Sequence, residues 1–290
     1  MHFFSAFAAL IFLVAPVLAG NNFHGLAASN SQGGIATYTC RTQEDWDSLA
    51  RSTKDNGFGS LFISGLDCDA LHSASRAAIK TGLTVLPAIF IHGTVANSES
   101  DINNGVQMFV SAVSEFGAGL YEGFLVGNEA NDNTPNIVNK VDSVRGALRS
   151  AGINTPVSTT HTWVRVRDEP ALCGDFVFAN AHAFYDGGRT AAEAGDFVYG
   201  TVIPALKEKC PGKPIYITES GWPSQGGSNG IAVASPQAES NALSGLICAA
   251  SKDRDVKLYA FEADNQAWKS TDVDKNFGIL GKVGDAFNTC

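Results

Sequence analysis

Short apolar runs alternate along the chain with longer stretches whose apolar positions recur every three to four residues. The runs are rich in β-branched and aromatic residues and begin near Phe23, Ser60, Thr84, Glu122, Pro156, Phe176, Pro214 and Val256. Between them, Glu44 to Asn56, Asp69 to Thr81, Ile102 to Phe116, Ile137 to Ala151, Ala191 to Cys210 and Gln237 to Ser251 carry the helical pattern. The first kind reads as buried strands and the second as amphipathic helices. Asp69 and Ser235-Pro236 suit helix starts; Gly82, Gly117 and Gly152 suit helix stops. A strand can return parallel to its predecessor only through a crossover, so strand–helix alternation predicts a parallel sheet. The fold class is therefore α/β, and eight such units are what a closed (β/α)8 TIM barrel requires. An open doubly wound sheet is the competing architecture, and it would be favoured by a Gly-rich phosphate loop after the first strand. Phe23-His24-Gly25-Leu26-Ala27-Ala28 offers one glycine, so neither a dinucleotide fingerprint nor a P-loop is present. No linker or shift in composition marks a second domain. The Ser/Gly-rich stretch Ser224 to Gly230 follows the seventh strand and reads as a loop of the active face.

The N-terminus changes this picture. Phe3 to Leu18 is apolar apart from Ser5 and Pro16, and it ends in Val17-Leu18-Ala19. That is the layout of a secretory signal peptide cleaved after Ala19, which makes residues 20–290 one catalytic-size barrel domain. A membrane anchor is the competing reading, but the run is short, Pro16 interrupts it and no basic cluster follows. Six cysteines (Cys40, Cys68, Cys173, Cys210, Cys248, Cys290) in a secreted chain suggest disulfides, with fifteen full pairings open and some free thiols as the alternative. No two are close enough in sequence for a zinc-type pair. The 290 residues include 29 acidic and 20 basic ones, so the net charge of -9 argues against nucleic acid and against an anionic membrane surface as partners. Hydrophobic residues at 44% and charged residues at 17% exclude a disordered chain.

Chemistry in a parallel barrel sits where strands meet the loops that follow them. The fourth run ends Gly127-Asn128-Glu129-Ala130 and the seventh ends Thr218-Glu219-Ser220-Gly221-Trp222-Pro223. A glutamate closing a buried apolar strand needs a reason, because burying an unpaired carboxylate is costly. A rim position or an ion pair explains either one alone; both together, each beside a hydrogen-bonding or aromatic neighbour, point to a shared site. They stand 90 positions apart, about three repeats, so both lie at the barrel mouth. Two such carboxylates can serve as acid/base and nucleophile of a retaining glycosidase, which holds them about 5 Å apart.

These motifs carry a resemblance. Val-Gly-Asn-Glu at the fourth strand and Ile-Thr-Glu-Ser-Gly-Trp-Pro-Ser at the seventh resemble glycoside hydrolase family 17, the β-1,3-glucan hydrolases and transglucosidases of plants and fungi. Tyr259 to Lys269 is similar to that family's eighth-strand segment, and Asp175 to Asn180 with Phe184-Tyr185 to its sixth. The match runs over nearly the whole of residues 20–290, and its compactness is closer to the fungal wall enzymes. The resemblance implies Glu129 as acid/base and Glu219 as nucleophile, with no metal or organic cofactor. It implies Asn128 on the sugar 2-hydroxyl, Trp222 offering a ring face, Glu262 and Lys269 holding hydroxyls or orienting the nucleophile, and Trp268 walling the site. Asp67, Tyr185 and His161 join the expected substrate contacts. The second strand, Phe62 to Asp67, lacks the Tyr that many fungal members carry, and Asn265-Gln266-Ala267 replaces a usual Asp-Glu-Pro.

His24, His92, His161 and His182 also fall near strand ends. A metal-dependent amidohydrolase barrel would need His-X-His on the first strand, and Asn22 stands where the first of that pair would be. Imidazoles beside Trp163 and Tyr185 suit a carbohydrate surface better. Tyr38 and Trp163 are further stacking candidates, whereas Trp46 lies in a helical pattern and suits packing. The expected protein is thus a secreted, monomeric enzyme of β-1,3-glucan, with transfer to another glucan favoured over hydrolysis. A non-catalytic carbohydrate-binding wall protein is the alternative of another class.

Overall fold

Each of the eight apolar runs forms a strand. They are β1 (Gly25–Ala28), β2 (Ser60–Ser64), β3 (Thr84–Ile89), β4 (Phe124–Asn128), β5 (Val157–Thr162), β6 (Val177–Asn180) and β7 (Ile215–Ser220). A hairpin of β8 (Ser228–Asn229) and β9 (Ala232–Val233) precedes the eighth barrel strand, β10 (Lys257–Ala260). All eight pair in parallel in chain order, and β10 closes on β1. The structure is a computed structural model that describes residues 20–282, 284–288 and 290; the expected signal peptide, 1–19, lies outside the described residues. Among the described residues no helix is long and apolar enough to cross a membrane.

The helices are α1 (Gln43–Asp55), α2 (Ala70–Thr81), α3 (Glu99–Phe116), α4 (Thr134–Ser150), α5 (Trp163–Asp168), α6 (Ala183–Asp186), α7 (Ala194–Phe197), α8 (Ile203–Lys209) and α9 (Pro236–Ala250). The expected start at Ser235 holds: its hydroxyl accepts from the Ala238 N–H and satisfies an otherwise orphaned donor. Asp69 precedes α2 in a left-handed conformation and makes no side-chain cap bond. The expected helix from Ala191 to Cys210 is a continuous run that widens into a π turn over Val198–Val202. Pro204 lies two residues beyond it; its missing N–H and its ring bulk disfavour regular α hydrogen bonding there.

Two apolar layers result from strand alternation. Ala27, Phe62, Leu86, Leu125, Phe178 and Tyr259 point inward and fill the barrel. Their alternates, such as Leu61 and Ile63, point outward against Trp46, Leu71 and Phe109 of the helices. Each large side chain so buried contributes about 1.5–3 kcal/mol. Disulfides join Cys40 to Cys68, Cys173 to Cys210 and Cys248 to Cys290, so all six cysteines are paired.

The barrel's bottom, where strands begin, is closed by a polar cluster. His24 Nε2 lies 2.7 and 2.8 Å from the two oxygens of Glu122. The Tyr259 hydroxyl donates to Glu122 at 3.1 Å, and the Thr84 hydroxyl donates to it as well. Burial opposes the charge of Glu122, yet the His24 imidazole, Thr84 and Tyr259 hold its carboxyl below the usual range.

Candidate active site

Strict alternation would not bring the mouth residues together, and two irregularities do. Pairing of β4 with β5 runs Leu125↔Ser158 and then Asn128↔Thr160, so β4 carries one extra residue. β7 does likewise: Ala179↔Ile217 is followed by Asn180↔Glu219, and Leu258↔Ile217 by Ala260↔Ser220. A one-residue bulge re-aims every side chain beyond it. In β4 it falls at Gly127, whose φ of 91° suits glycine, and it turns Asn128 into the mouth. Glu129 follows at φ 54°, a left-handed conformation that costs a non-glycine residue about 1–2 kcal/mol. In β7 the bulge lets Thr218 and Glu219, neighbours in sequence, both face the interior. A Cβ on Gly221 would lie 2.0 Å from the Phe261 carbonyl, so the motif's glycine answers the close approach of β7's end to that of β10.

The two glutamates are joined by two amides. Asn128 Nδ2 donates to Glu219 Oε1 at 2.9 Å and to Ser64 Oγ at 3.1 Å. Asn180 Nδ2 donates to Asn128 Oδ1 and to Glu129 Oε1, both at 2.9 Å. His182 Nε2 lies 3.4 Å from Glu219 Oε2. Burial, and then the charge of Glu219, raise the proton affinity of Glu129; donation by Asn180 and the nearby His182 oppose them. Glu262 is 3% exposed and takes a hydrogen bond from Lys269 Nζ at 2.5 Å. Burial pushes its carboxyl up to about 7, Lys269 pulls it down, and Asp264 and Glu219 push it up. Lys269 also stands 4.8 Å over the Phe261 ring. Tyr185, half-exposed at the rim, donates its hydroxyl to Asp274 Oδ1 at 2.8 Å. Burial, Asp274 and the charges of Glu219 and Glu129 all hold the Tyr185 proton on.

A cavity of about 660 Å³ extends from Ser64 along the mouth, lined among others by Asp67, Tyr38, Phe90, His92 and Trp268. Asp67 accepts from the Tyr38 hydroxyl at 2.6 Å and from Asn30 Nδ2 at 2.7 Å. Trp268 donates its Nε1–H to Gln266 Oε1 at 2.7 Å and meets the Tyr38 ring edge-to-face at 4.9 Å. Tyr38, from the loop after β1, thus supplies an aromatic ring at this wall.

Residues 26–278 match the model of the BtgE/BtgC glycoside hydrolase domain. The chain belongs to this glycoside hydrolase family. The resemblance to family 17 is borne out by curated relatives. "Probable family 17 glucosidase SCW4" of Saccharomyces cerevisiae is 31% identical over 234 residues, covering 77% of this chain and 57% of its own length. Cell surface mannoprotein MP65 of Candida albicans is 32% identical over 238 residues, covering 77% and 59%. The chain spans a little over half the length of these two relatives. The solved glycoside hydrolase family 17 β-1,3-glucanosyltransferase of Rhizomucor miehei shares the barrel, with a TM-score of 0.72 over 92% of this chain and 95% of that one at 23% identity. An active-site mutant of the Rhizomucor miehei β-1,3-glucanosyltransferase in complex with laminaritriose gives 0.73 over 89% and 93% at 21% identity.

In this BtgE/BtgC-family barrel Asn128, Glu129, Glu219, Glu262, Lys269 and Tyr185 converge on the mouth, and Asp67 and Trp268 line the adjoining cavity. Two expected contacts do not. Trp222 is fully buried, edge-on to Phe184, with its Nε1–H bonded to the Val233 carbonyl at 3.0 Å. It anchors the β8–β9 hairpin and has no exposed face for a sugar. His161 is 1% exposed and lies between the Thr159 hydroxyl at 3.1 Å and Arg165 at 3.4 Å. Alternation explains this: Thr160 points into the barrel at Thr218, so His161 points outward to the helical layer. Burial, then Arg165, drive its imidazole down to about 3. Sequence reading gave no separate role to Asn180, which links the two glutamates. Its signal was available: a polar amide closing the apolar run Phe176 to Ala179, as Asn128 closes the fourth. Arg41, which grips Asp264 at 2.6 and 2.7 Å, carried no such signal.

Proposed function

We propose that this glycoside hydrolase cleaves β-1,3-glucan outside the cell with retention of configuration, and passes the cleaved chain to a second glucan. The observation that carries the reading is the pair Glu129 and Glu219 at the ends of β4 and β7, joined through Asn128 and Asn180. Retaining hydrolysis needs one carboxyl protonated and one ionised. Burial and the neighbouring charge favour a proton on Glu129, and Glu219 faces the amide of Asn128 and the imidazole of His182.

In the first step a Glu219 oxygen attacks the anomeric carbon as the glycosidic bond breaks. Glu129 gives its proton to the departing oxygen, and a glycosyl ester forms on Glu219. In the second step Glu129, now a carboxylate, takes the proton of an incoming hydroxyl, whose oxygen attacks the same carbon and releases Glu219. Water as the acceptor gives hydrolysis; a glucan hydroxyl gives transfer. Asn128 binds the sugar 2-hydroxyl beside Glu219. Glu262 and Lys269 bind hydroxyls of the same ring, and Asp67, Trp268 and Tyr185 bind rings further along. Transfer is supported by the fold neighbour described as a glucanosyltransferase. An extracellular site is supported by the relative named as a cell surface mannoprotein and by three disulfides, which persist in oxidising compartments.

The test is to incubate the protein with defined β-1,3-gluco-oligosaccharides and size the products, beside Glu129→Gln and Glu219→Gln. Products longer than the substrate are expected. Only shorter products would reduce the reading to an endo-glucanase. Undiminished activity in either variant would overturn the assignment.

A further inference from the structure

We infer that Asn180 is a positioning residue whose amide, oriented by Thr160 and Thr218, couples the acid/base carboxyl to the nucleophile's amide partner. The inference rests on the roles proposed above for Glu129 and Glu219. Asn180 is 3% exposed and sits at the end of β6, opposite Glu219 in register. An asparagine amide has one accepting and one donating end, and its neighbours decide which faces where. The Thr218 hydroxyl donates to Asn180 Oδ1 at 2.8 Å, Thr160 Oγ1 lies 3.4 Å from the same oxygen, and the two hydroxyls are 2.7 Å apart. With the oxygen committed to this pair, Nδ2 must face the mouth. There its two hydrogens serve Glu129 Oε1 and Asn128 Oδ1. Accepting that bond fixes the Asn128 amide in turn, so its Nδ2 faces Glu219 and Ser64. The chain has one direction, from buried threonine hydroxyls through two amides to two carboxylates. Reversing the Asn180 amide would aim an oxygen at each of its present acceptors.

The consequence concerns the proton cycle. A donor on a carboxylate favours its ionised form. The groups facing Glu129 are Glu219 from β7, His182 between β6 and α6, Tyr185 from α6 and Asn180 from β6. Glu219 and burial favour the proton, while Asn180 and His182 favour its release. Asn180 therefore keeps Glu129 able to give its proton in the first step and to act as base in the second.

The test is the pH dependence of kcat/KM on β-1,3-gluco-oligosaccharide for wild type, Asn180→Ala, Asn180→Asp, Thr218→Val and Thr160→Val, with thermal melts of each. Asn180→Ala is expected to move the alkaline limb, which reports loss of the Glu129 proton, upward by about one pH unit. kcat is expected to fall about tenfold with KM little changed. Thr218→Val keeps the side chain's shape but frees the amide, and should move the limb the same way by less. An aryl glucoside with a good leaving group should escape most of the loss, because its departure needs little acid assistance. If Asn180→Ala fails to fold, the two threonine variants decide. Unmoved limbs in every folded variant, with wild type active and Glu129→Gln inactive, would overturn the role of Asn180 alone. Full activity of Glu129→Gln would instead remove the reading on which it rests.

Discussion

Glu122 and Glu129 flank β4: Glu122 is largely shielded at the bottom of the barrel, and Glu129 opens to solvent at its mouth. The bottom carboxylate is met from several sides by donors: both its oxygens lie against His24, and the Thr84 and Tyr259 hydroxyls add to them. Burial works against its charge and is outweighed, so the carboxyl lies below its usual range. The mouth carboxylate receives one side-chain donor, Asn180, and faces a second carboxylate, Glu219. There partial desolvation in the mouth wins with the neighbour's help, and the carboxyl rises. The same residue type is held as an anion at one pole and is inclined to keep a proton at the other. What separates them is the number of donors and the sign of the nearest charge.

The largest effects belong to the mouth. Glu129→Gln and Glu219→Gln are each expected to lower turnover of β-1,3-gluco-oligosaccharide by about 10³-fold or more. Both proteins should melt at or above the wild-type temperature, because a pair of neighbouring like charges is relieved. Initial-rate assays beside calorimetry check both halves. A variant that lost stability as well as activity would show that Glu129 or Glu219 is structural, like Glu122, and the contrast between the poles would fail.

Stability against pH separates the two kinds of carboxyl next. Glu239 on α9 is 1% exposed, and burial raises it to about 7 although Lys282 lies 3.3 Å away. Glu262 is raised to about 7 for the same first reason. Between the usual carboxyl value and 7, the folded chain holds protons that the unfolded chain has released. Stability therefore falls as pH rises through that window, by up to about 3 kcal/mol per group. The melting temperature should be higher at pH 5 than at pH 7.5, and Glu239→Gln should flatten part of that slope. A melting temperature that rises between these values would show that Lys282 and Lys269 outweigh the burial of Glu239 and Glu262.

Glu122 should behave in the opposite sense. Its depressed value means that its contribution is present above the usual carboxyl range and is lost as pH falls through its folded value. Glu122→Gln is expected to cost about 2 kcal/mol at pH 7, read by denaturant unfolding, with turnover per folded molecule unchanged. The deficit should shrink in acid. A loss of turnover without a loss of stability would tie the bottom cluster to the chemistry.

The barrel was legible in the sequence because its signals are local. Apolar runs of strand length, helical periodicity between them and starts such as Ser235 are each decided by neighbours a few residues away. The two glutamates were legible because a charged residue closing a buried strand is rare enough to notice. Their partners were less so. Alternation places side chains correctly only until a bulge, and both β4 and β7 carry one just before the glutamate. His161 was misread because alternation does hold in β5 and turns it outward. Trp222 was misread because an aromatic just after a strand-end glutamate looks the same in sequence whether it faces a sugar or a hairpin. Asn180 reaches Glu129 across 51 positions and Arg41 reaches Asp264 across 223, contacts that only the closed barrel creates.

The smallest expected effect tests whether the wall of the mouth is separable from its chemistry. Trp268 meets Tyr38 edge-to-face at 4.9 Å, and Tyr38 is tied to Asp67, so the two rings form one corner of the cavity that begins at Ser64. A sugar ring packed on this corner loses on the order of 1 kcal/mol of apolar burial with the indole, which corresponds to a change in KM of about fivefold. Trp268→Ala should raise KM for oligosaccharides long enough to reach the corner and leave kcat within about twofold. Trp268→Phe keeps a ring but loses the Nε1–H bond to Gln266, and should recover most of the affinity. Shortening the substrate should erase the difference among all three proteins. A fall in kcat with KM unchanged would instead place Trp268 among groups that act only as the glycosidic bond breaks.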